Sequence, residues 1–278
     1  MPAASRVSAR NARFQQWQAL LGNRNKRQRA GEFLVHGVRP ISLAARSGWP
    51  FRALLYDADR RLSRWARDLL RDHETVQVPM AADLLAELGD KDENGPELVA
   101  VVAMPGDDLG RIAPVPEFLG VVLDRPASPG NVGSVIRSAD ALGAHAVIVT
   151  GHAADIYDPR CVRASTGSLF ALPVIRVPGH REVTAWVTAR RAVGCPVVLA
   201  AADEHGGQDV FGFDFAQPVL LLIGNEGTGL SAAWRDLADV VVSIPMTGAA
   251  SSLNAANAAT VLLYEAARQR LLARKRPG

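Results

Sequence analysis

Three stretches of the chain combine small residues with groups able to bind ligands or handle protons, and each follows a short apolar run. Residues 124–143 read DRPASPGNVGSVIRSADALG, residues 224–231 read GNEGTGLS, and residues 245–259 read PMTGAASSLNAANAA. In the first stretch Val132, Val135, Ile136, Ala139 and Leu142 recur at helical spacing, which turns Asn131, Ser134, Arg137 and Ser138 to the opposite face. Asn131 stands where a helix cap is expected. Arg137 lies one to two turns inside, where a cation gains nothing from the positive end of the helix dipole. A surface arginine is the ordinary case, but one framed by small residues after a Pro-Gly loop is better explained as aimed at an anion or an oxygen-rich ligand.

The second stretch packs Gly224, Gly227 and Gly229 around Asn225 and Glu226. Three glycines in six residues imply positive φ angles or a close backbone approach. In the third, Ser252 and Asn254 sit among alanines, leaving room for a ligand against the backbone, although their polar groups suit a helix cap equally well. None of the three is a nucleotide fingerprint. There is no Walker A pattern, and Gly130 and Gly133 form G-x-x-G without the G-x-G-x-x-G and acidic partner of a dinucleotide site. Cys161 and Cys195 have no C-x-x-C spacing and no histidine at ligand distance, so neither a disulfide framework nor a metal centre is expected.

The elements that must hold these loops are apolar runs separated by helical patterns. FLGVVLD, HAVIVT, LPVIRV, PVVLAA, PVLLLIG and DVVVSIP, all within 118–278, are continuous enough to be strands buried on both faces, as in a parallel sheet. Helical patterns at 132–142, 180–193 and 252–274 separate them. In such a sheet, ligands sit at the carboxyl ends of strands, where these three loops emerge. Upstream, FLVH, FRALLY, TVQVP and ELVAVVAM read as strands, with helices near 38–47, 60–72 and 81–88. The organisation expected is therefore a basic extension (1–30), a small α/β domain (31–103), a proline-bearing linker (104–117) and a larger α/β domain (118–278).

Of the 278 residues 48% are hydrophobic, yet no run reaches the roughly 20 residues of a spanning helix, and the N-terminus lacks a signal-peptide pattern. A cytoplasmic protein without a membrane partner is expected. Charge is unevenly placed. Residues 1–40 hold eight basic residues against Glu32 alone, a net of +7, and residues 267–278 hold five with no acid, a net of +5. The total is only +3, so the stretch between carries −9. Basic ends on an acidic body suit a polyanion, because clustered Lys and Arg gain affinity by releasing counterions from phosphates.

Together the three loops resemble the SPOUT superfamily of RNA methyltransferases, in its TrmH/SpoU branch of ribose 2′-O-methyltransferases. The first family motif resembles Asn131-Val132-Gly133-Ser134-Val135-Ile136-Arg137. The second resembles Ile223-Gly224-Asn225-Glu226-Gly227 with Gly229-Leu230-Ser231, and the third Ile244-Pro245-Met246 through Ser251-Ser252-Leu253-Asn254. NKRQRAGEFLVHGVRPI resembles the L30e-like RNA-binding domain that this branch often carries. The resemblance implies an α/β fold with a C-terminal parallel-sheet domain tied in a deep trefoil knot, a topology that periodicity cannot reveal. It implies S-adenosylmethionine as cofactor, released as S-adenosylhomocysteine, no metal, and a homodimer through the C-terminal domain. By position, Leu199, Ala200, Ala201, Gly224, Ile244, Met246 and Leu253 would hold the cofactor. Arg137, Asn131, Glu226, Ser252 and Asn254 would form the catalytic group, and Arg24, Lys26, Arg27, Arg29, Arg39 and Arg163 would grip RNA. SARNARFQQWQALLGNRNKR is most similar to actinobacterial members that methylate a uridine in 23S rRNA and confer antibiotic resistance.

The family proposal makes the arginine matching Arg137 the general base. Guanidinium groups titrate above about 12, so orientation of the nucleotide and stabilisation of the developing alkoxide suit this side chain better, with a phosphate or water taking the proton. The alternatives are methylation of a tRNA ribose and an inactive RNA-binding protein of the same fold, the latter disfavoured by intact Asn131, Arg137, Glu226 and Asn254. A Rossmann oxidoreductase lacks its fingerprint here, and DNA is not an expected partner.

Overall fold

A computed structural model describes residues 5–89, 95–113 and 115–275. The chain divides into two units, 1–105 with 157–171, and 106–156 with 172–278.

The first unit is built on four strands, β1 (Glu32–His36), β2 (Phe51–Asp57), β3 (Val76–Met80) and β4 (Leu98–Ala103). Their order is β1-β4-β2-β3, with β4 antiparallel to β1 and β2 and with β3 parallel to β2. The helices are α1 (Ala12–Gly22), α2 (Arg24–Ala30), α3 (Val38–Arg46), α4 (Arg64–Asp72) and α5 (Ala82–Leu88). Of the expected extension 1–30, the described residues 5–30 are not free. Val7 bridges to Met80, and Phe14, Trp17 and Leu20 of α1 are buried in one core with Leu34, Leu55 and Val78. Amphipathic burial of three large side chains outweighs the solvation of the surrounding arginines.

The segment 157–171, expected in the C-terminal domain, packs in this first unit as α7 (Pro159–Ser165) and a 3₁₀ turn, Ser168–Phe170. Tyr157 lies 4.6 Å from Phe33, and Phe170 meets Trp49 edge-on at 5.0 Å, the geometry that aromatic quadrupoles favour.

The second unit is a seven-stranded sheet of β5 (Leu119–Asp124), β6 (Ala146–Thr150), β7 (Val174–Val177), β8 (Val198–Ala202), β9 (Gln208–Asp209), β10 (Val219–Ile223) and β11 (Val240–Ser243). The order is β7-β6-β5-β10-β8-β11-β9, and every pairing is parallel. All residues of β5, β6 and β10 are buried, as expected for strands covered on both faces. The covering helices are α6 (Pro129–Ala141), α8 (His180–Ala192), α9 (Ala232–Leu237) and α10 (Ala255–Lys275), with Ser138 of α6 hydrogen-bonded to Thr260 of α10 at 2.8 Å.

Much of the expected linker 104–117 belongs to this unit, because Ile112 is fully buried in its core and Asp107 pairs with Arg176 at 2.7 Å. Arg270, buried on α10, donates to the carbonyls of Phe118, Gln217 and Phe215 at 2.9–3.0 Å and also to that of Glu117. Burial pushes this guanidinium below its ordinary value. It fastens the C-terminal helix to the leading ends of β5 and β10.

Candidate active site

Because β5, β10, β8 and β11 are adjacent and parallel, their trailing loops emerge at one edge. At the end of β5 the buried Asp124 accepts the N–H of Ser231 at 2.8 Å and the guanidinium of Arg125 at 3.1 Å. Arg125 takes φ +52°, uncommon for a side-chain-bearing residue. The conformation is held from two sides: its guanidinium reaches the Gly229 carbonyl at 3.2 Å, and its own carbonyl accepts from Asn225 at 2.7 Å. The Asn225 side-chain oxygen then accepts the N–H groups of Gly227 and Thr228, closing the β10 loop on itself.

Two of the three glycines in that loop are required, for different reasons. A Cβ on Gly224 would stand 2.3 Å from the Gly229 carbonyl carbon, whereas Gly229 itself has φ +63°. A Cβ on Gly227 would make only an ordinary contact, 3.6 Å from the Asn225 side-chain oxygen, and its φ lies outside the left-handed region.

Glu226 leaves this loop toward the start of α6. Its carboxylate accepts the N–H groups of Ala127 at 3.0 Å and Ser128 at 3.3 Å, and the amide of Asn131 at 2.9 Å. Burial alone would raise the carboxyl, but these hydrogen bonds outweigh it and hold the group below its ordinary value. Asn131 is consequently not the cap of α6. Ser128 is, accepting the Asn131 N–H, and Gly130 and Gly133 lie inside the helix rather than in a turn before it. Pro129 at the first helical position, with its φ already set for a helix, moves the start upstream of where apolar spacing alone puts it.

Beside the Glu226 loop lies a cleft of about 380 Å³, lined by the trailing residues of β8 and by the loops after β10 and β11. Gly224, Glu226, Ile244, Met246, Ser252 and Leu253 all face it. Its size falls in the range of small-molecule sites. Among the described residues no cluster of His, Cys, Asp or Glu could hold a metal, and no helix is long and apolar enough to cross a membrane.

The SpoU rRNA Methylase family model matches residues 119–264, and the SpoU L30e-like domain matches residues 11–100. The chain belongs to the SpoU rRNA methylase family. This SpoU methylase is 69% identical over 98% of its length to a Streptomyces viridochromogenes protein named 23S rRNA (uridine(2479)-2′-O)-methyltransferase, covering 95% of it. The crystal structure of the SpoU methyltransferase AviRb from Streptomyces viridochromogenes, in complex with the cofactor AdoMet, is similar at TM-score 0.91 and 70% identity over 94% of this chain and 99% of that one. An AdoMet-bound rRNA methyltransferase from Sinorhizobium meliloti is similar at TM-score 0.82 and 28% identity, over 95% and 97% of the two chains.

Within this SpoU methylase the residues read from the sequence as catalytic fall into separate places. Asn131 and Glu226 are bonded to each other and Ser252 lines the cleft. Asn254 instead caps α10, accepting the N–H of Ala256 at 2.9 Å. Arg137 is exposed on α6, outside the cleft lining, with no hydrogen bond or ion pair among the described residues. Of the expected cofactor residues, Gly224, Ile244, Met246 and Leu253 line the cleft. Leu199, Ala200 and Ala201 are buried inside β8, and it is the next residue, Ala202, that reaches the cleft wall.

Arg24, Lys26, Arg29, Arg39 and Arg163 are exposed. Arg27 is not: at 2% exposure it donates to the Leu20 and Leu21 carbonyls, which makes it a bracket between α1 and α2 rather than an RNA contact. The sequence reading assigned no role to Asp124, Arg125 or Asn225. The signal available was positional, the first polar residues after the apolar runs of β5 and β10.

Proposed function

We propose that this protein transfers a methyl group from S-adenosylmethionine to the ribose 2′-oxygen of a uridine in 23S rRNA. The reading is carried by the cleft at the strand ends, set beside the Asn131–Glu226 pair in a chain 69% identical over 98% of its length to a protein of that named activity.

The residues present suit the cofactor. Ile244, Met246 and Leu253 offer an apolar wall for adenine, and Gly224 is stripped of a side chain where backbone crowds backbone. When bound, the cofactor supplies a methyl already activated on a sulfonium, so the protein's remaining tasks are alignment and the disposal of one proton. Glu226 ties Asn131 and the N–H groups of residues 127 and 128 to the cleft rim, giving the incoming ribose a rigid wall. The Ser252 hydroxyl faces the cleft and would hydrogen-bond the ribose. Arg137 would orient the nucleotide and stabilise the developing alkoxide, while a phosphate or water accepts the proton.

Arg137 stands outside the cleft lining of its own chain, which favours a homodimer in which the partner supplies it. Val261, Tyr264 and Leu271 on α10, spaced to share one helix face, are 38%, 61% and 57% exposed and suit such an interface. The proposal includes the knotted C-terminal path, supported by β10 lying between β5 and β8, and action in the cytoplasm on rRNA, with protection from a ribosome-targeting antibiotic as its outcome.

The test is incubation of the purified protein with labelled S-adenosylmethionine and 23S rRNA or tRNA, followed by mapping of 2′-O-methylation. A single modified uridine in 23S rRNA is expected. Modification of tRNA alone, or of neither RNA, would overturn the reading, and sedimentation as a monomer at assay concentration would overturn the dimer.

A further inference from the structure

We propose that Arg125 is a positioning residue for methyl transfer: braced on the buried Asp124, it fixes the loop after β10 that walls the cleft and carries Glu226. The inference rests on the proposed methyl transfer and adds to it a residue that does not line the cleft.

Residues 224–229 line the cleft, whereas Asp124 and Arg125 do not. These two consecutive residues nonetheless anchor the loop at three points. The Arg125 carbonyl accepts from the Asn225 amide at 2.7 Å, the Arg125 guanidinium donates to the Gly229 carbonyl at 3.2 Å, and Asp124 accepts the Ser231 N–H at 2.8 Å. Glu226 lies between the first two anchors. Its carboxylate is thereby held where it reaches Ala127, Ser128 and Asn131 at the start of α6.

The position requires the side chain and not the bend alone. Were only a φ of +52° needed, glycine would adopt it without steric cost, and asparagine more readily than arginine. An arginine persists there because its surroundings over-determine the conformation. Its backbone N–H donates to the Thr150 carbonyl at 3.0 Å, and its Nε and Nη2 reach Asp124 at 3.1–3.2 Å. Gly151 leaves room for the stem, since a Cβ there would stand 2.8 Å from the Arg125 Cγ. Asp124, 4% exposed, needs the cation in turn, because a buried carboxylate is retained when it is paired and hydrogen-bonded. In-line transfer is sensitive to such bracing: a misplacement of about 1 Å in a reacting group can cost about a hundredfold in rate.

The experiment compares the full-length wild type with two variants. Arg125→Asn tolerates the positive φ but lacks the guanidinium, and Arg125→Lys keeps the charge beside Asp124 without the fork. With 23S rRNA transcript and labelled S-adenosylmethionine, Arg125→Asn is expected to lose about tenfold or more in kcat, with the rRNA KM within about twofold of wild type and Arg125→Lys in between. In a cycle with Glu226→Gln, the double variant should lose less than the product of the two single losses, because Arg125 acts through the loop that carries Glu226. Amide exchange of the peptide 224–231 should quicken by about tenfold in Arg125→Asn while α8 keeps its protection.

A kcat within about twofold of wild type, fully multiplicative losses in the cycle, or unchanged exchange of the loop would each overturn the assignment. So would weaker rRNA binding with a salt slope lower by about one at unchanged kcat, which would mark Arg125 as a direct phosphate contact. Where Arg125→Asn melts early, Arg125→Lys carries the same readouts. Wild-type activity is scored separately: an inactive wild type sinks the proposed function, and the exchange measurement, which needs no RNA, still decides whether Arg125 fixes the loop.

Discussion

The side-chain amide of Asn131 donates to the Glu226 carboxylate at 2.9 Å across 95 positions of sequence. Since that carboxylate also accepts the Ala127 and Ser128 N–H groups, the start of α6 and the loop after β10 are held as one body beside the cleft.

Replacing Glu226 by alanine removes three acceptor contacts to a charged group, each worth about 1.5–3 kcal/mol. The expected loss in kcat/KM is about tenfold to a hundredfold, expressed in kcat more than in cofactor affinity. Asn131→Ala should cost less, and the double variant should cost less than the two single losses combined, because the pair is coupled. Steady-state kinetics and calorimetry on the three variants test this, and strict additivity would show that the hydrogen bond does not position the site.

The same carboxylate makes stability depend on pH. Its folded value lies below its ordinary one, so the stabilisation is fully present above the ordinary carboxylate value and is lost as the pH falls through the depressed one. Thermal unfolding of wild type and Glu226→Gln should differ most near neutral pH and converge as acidification passes through the depressed carboxyl value. A difference that widens in acid would contradict the assignment.

Arg270→Met would leave four carbonyls without their donor at the base of β5 and β10. Unsatisfied buried acceptors cost about 1–3 kcal/mol each, so a loss of about 3 kcal/mol or more and a melting temperature lower by roughly 6–12 °C are expected. Differential scanning calorimetry reads this directly, and a shift under about 2 °C would show that water replaces the guanidinium.

Gly224→Ala places a methyl 2.3 Å from the Gly229 carbonyl carbon and 2.4 Å from the Leu230 nitrogen, both backbone atoms that cannot swing aside. The loop after β10 must shift, and S-adenosylhomocysteine should bind at least about tenfold more weakly, as titration calorimetry would show. Gly227→Ala, whose methyl would meet only the Asn225 side-chain oxygen at an ordinary 3.6 Å, is the control expected to bind normally.

Arg27→Met should lower the melting temperature and leave the salt slope of RNA binding unchanged, since its guanidinium is spent on the Leu20 and Leu21 carbonyls. Replacing the exposed Arg24, Lys26 and Arg29 together should do the reverse and flatten the slope. Equal effects of the two substitutions on RNA binding would erase the distinction between bracket and grip.

The sequence by itself determined the parallel-sheet strands, the three loops at their carboxyl ends and the family motifs. Continuous apolar runs and helical spacing are local patterns, written within a few residues of the elements they build. The linker 104–117 was misjudged because three prolines suggest an open connection, whereas the burial of Ile112 depends on a core assembled from distant strands. Tertiary structure alone decided that Asn131 serves Glu226 rather than the helix end, that Arg27 is buried while Arg24 and Arg29 beside it are not, and that 157–171 folds with the first unit. Each of these rests on a partner many residues away in the chain, Arg27's being the nearest, and a hydrogen bond or an aromatic contact depends on distances in space that residue order does not record.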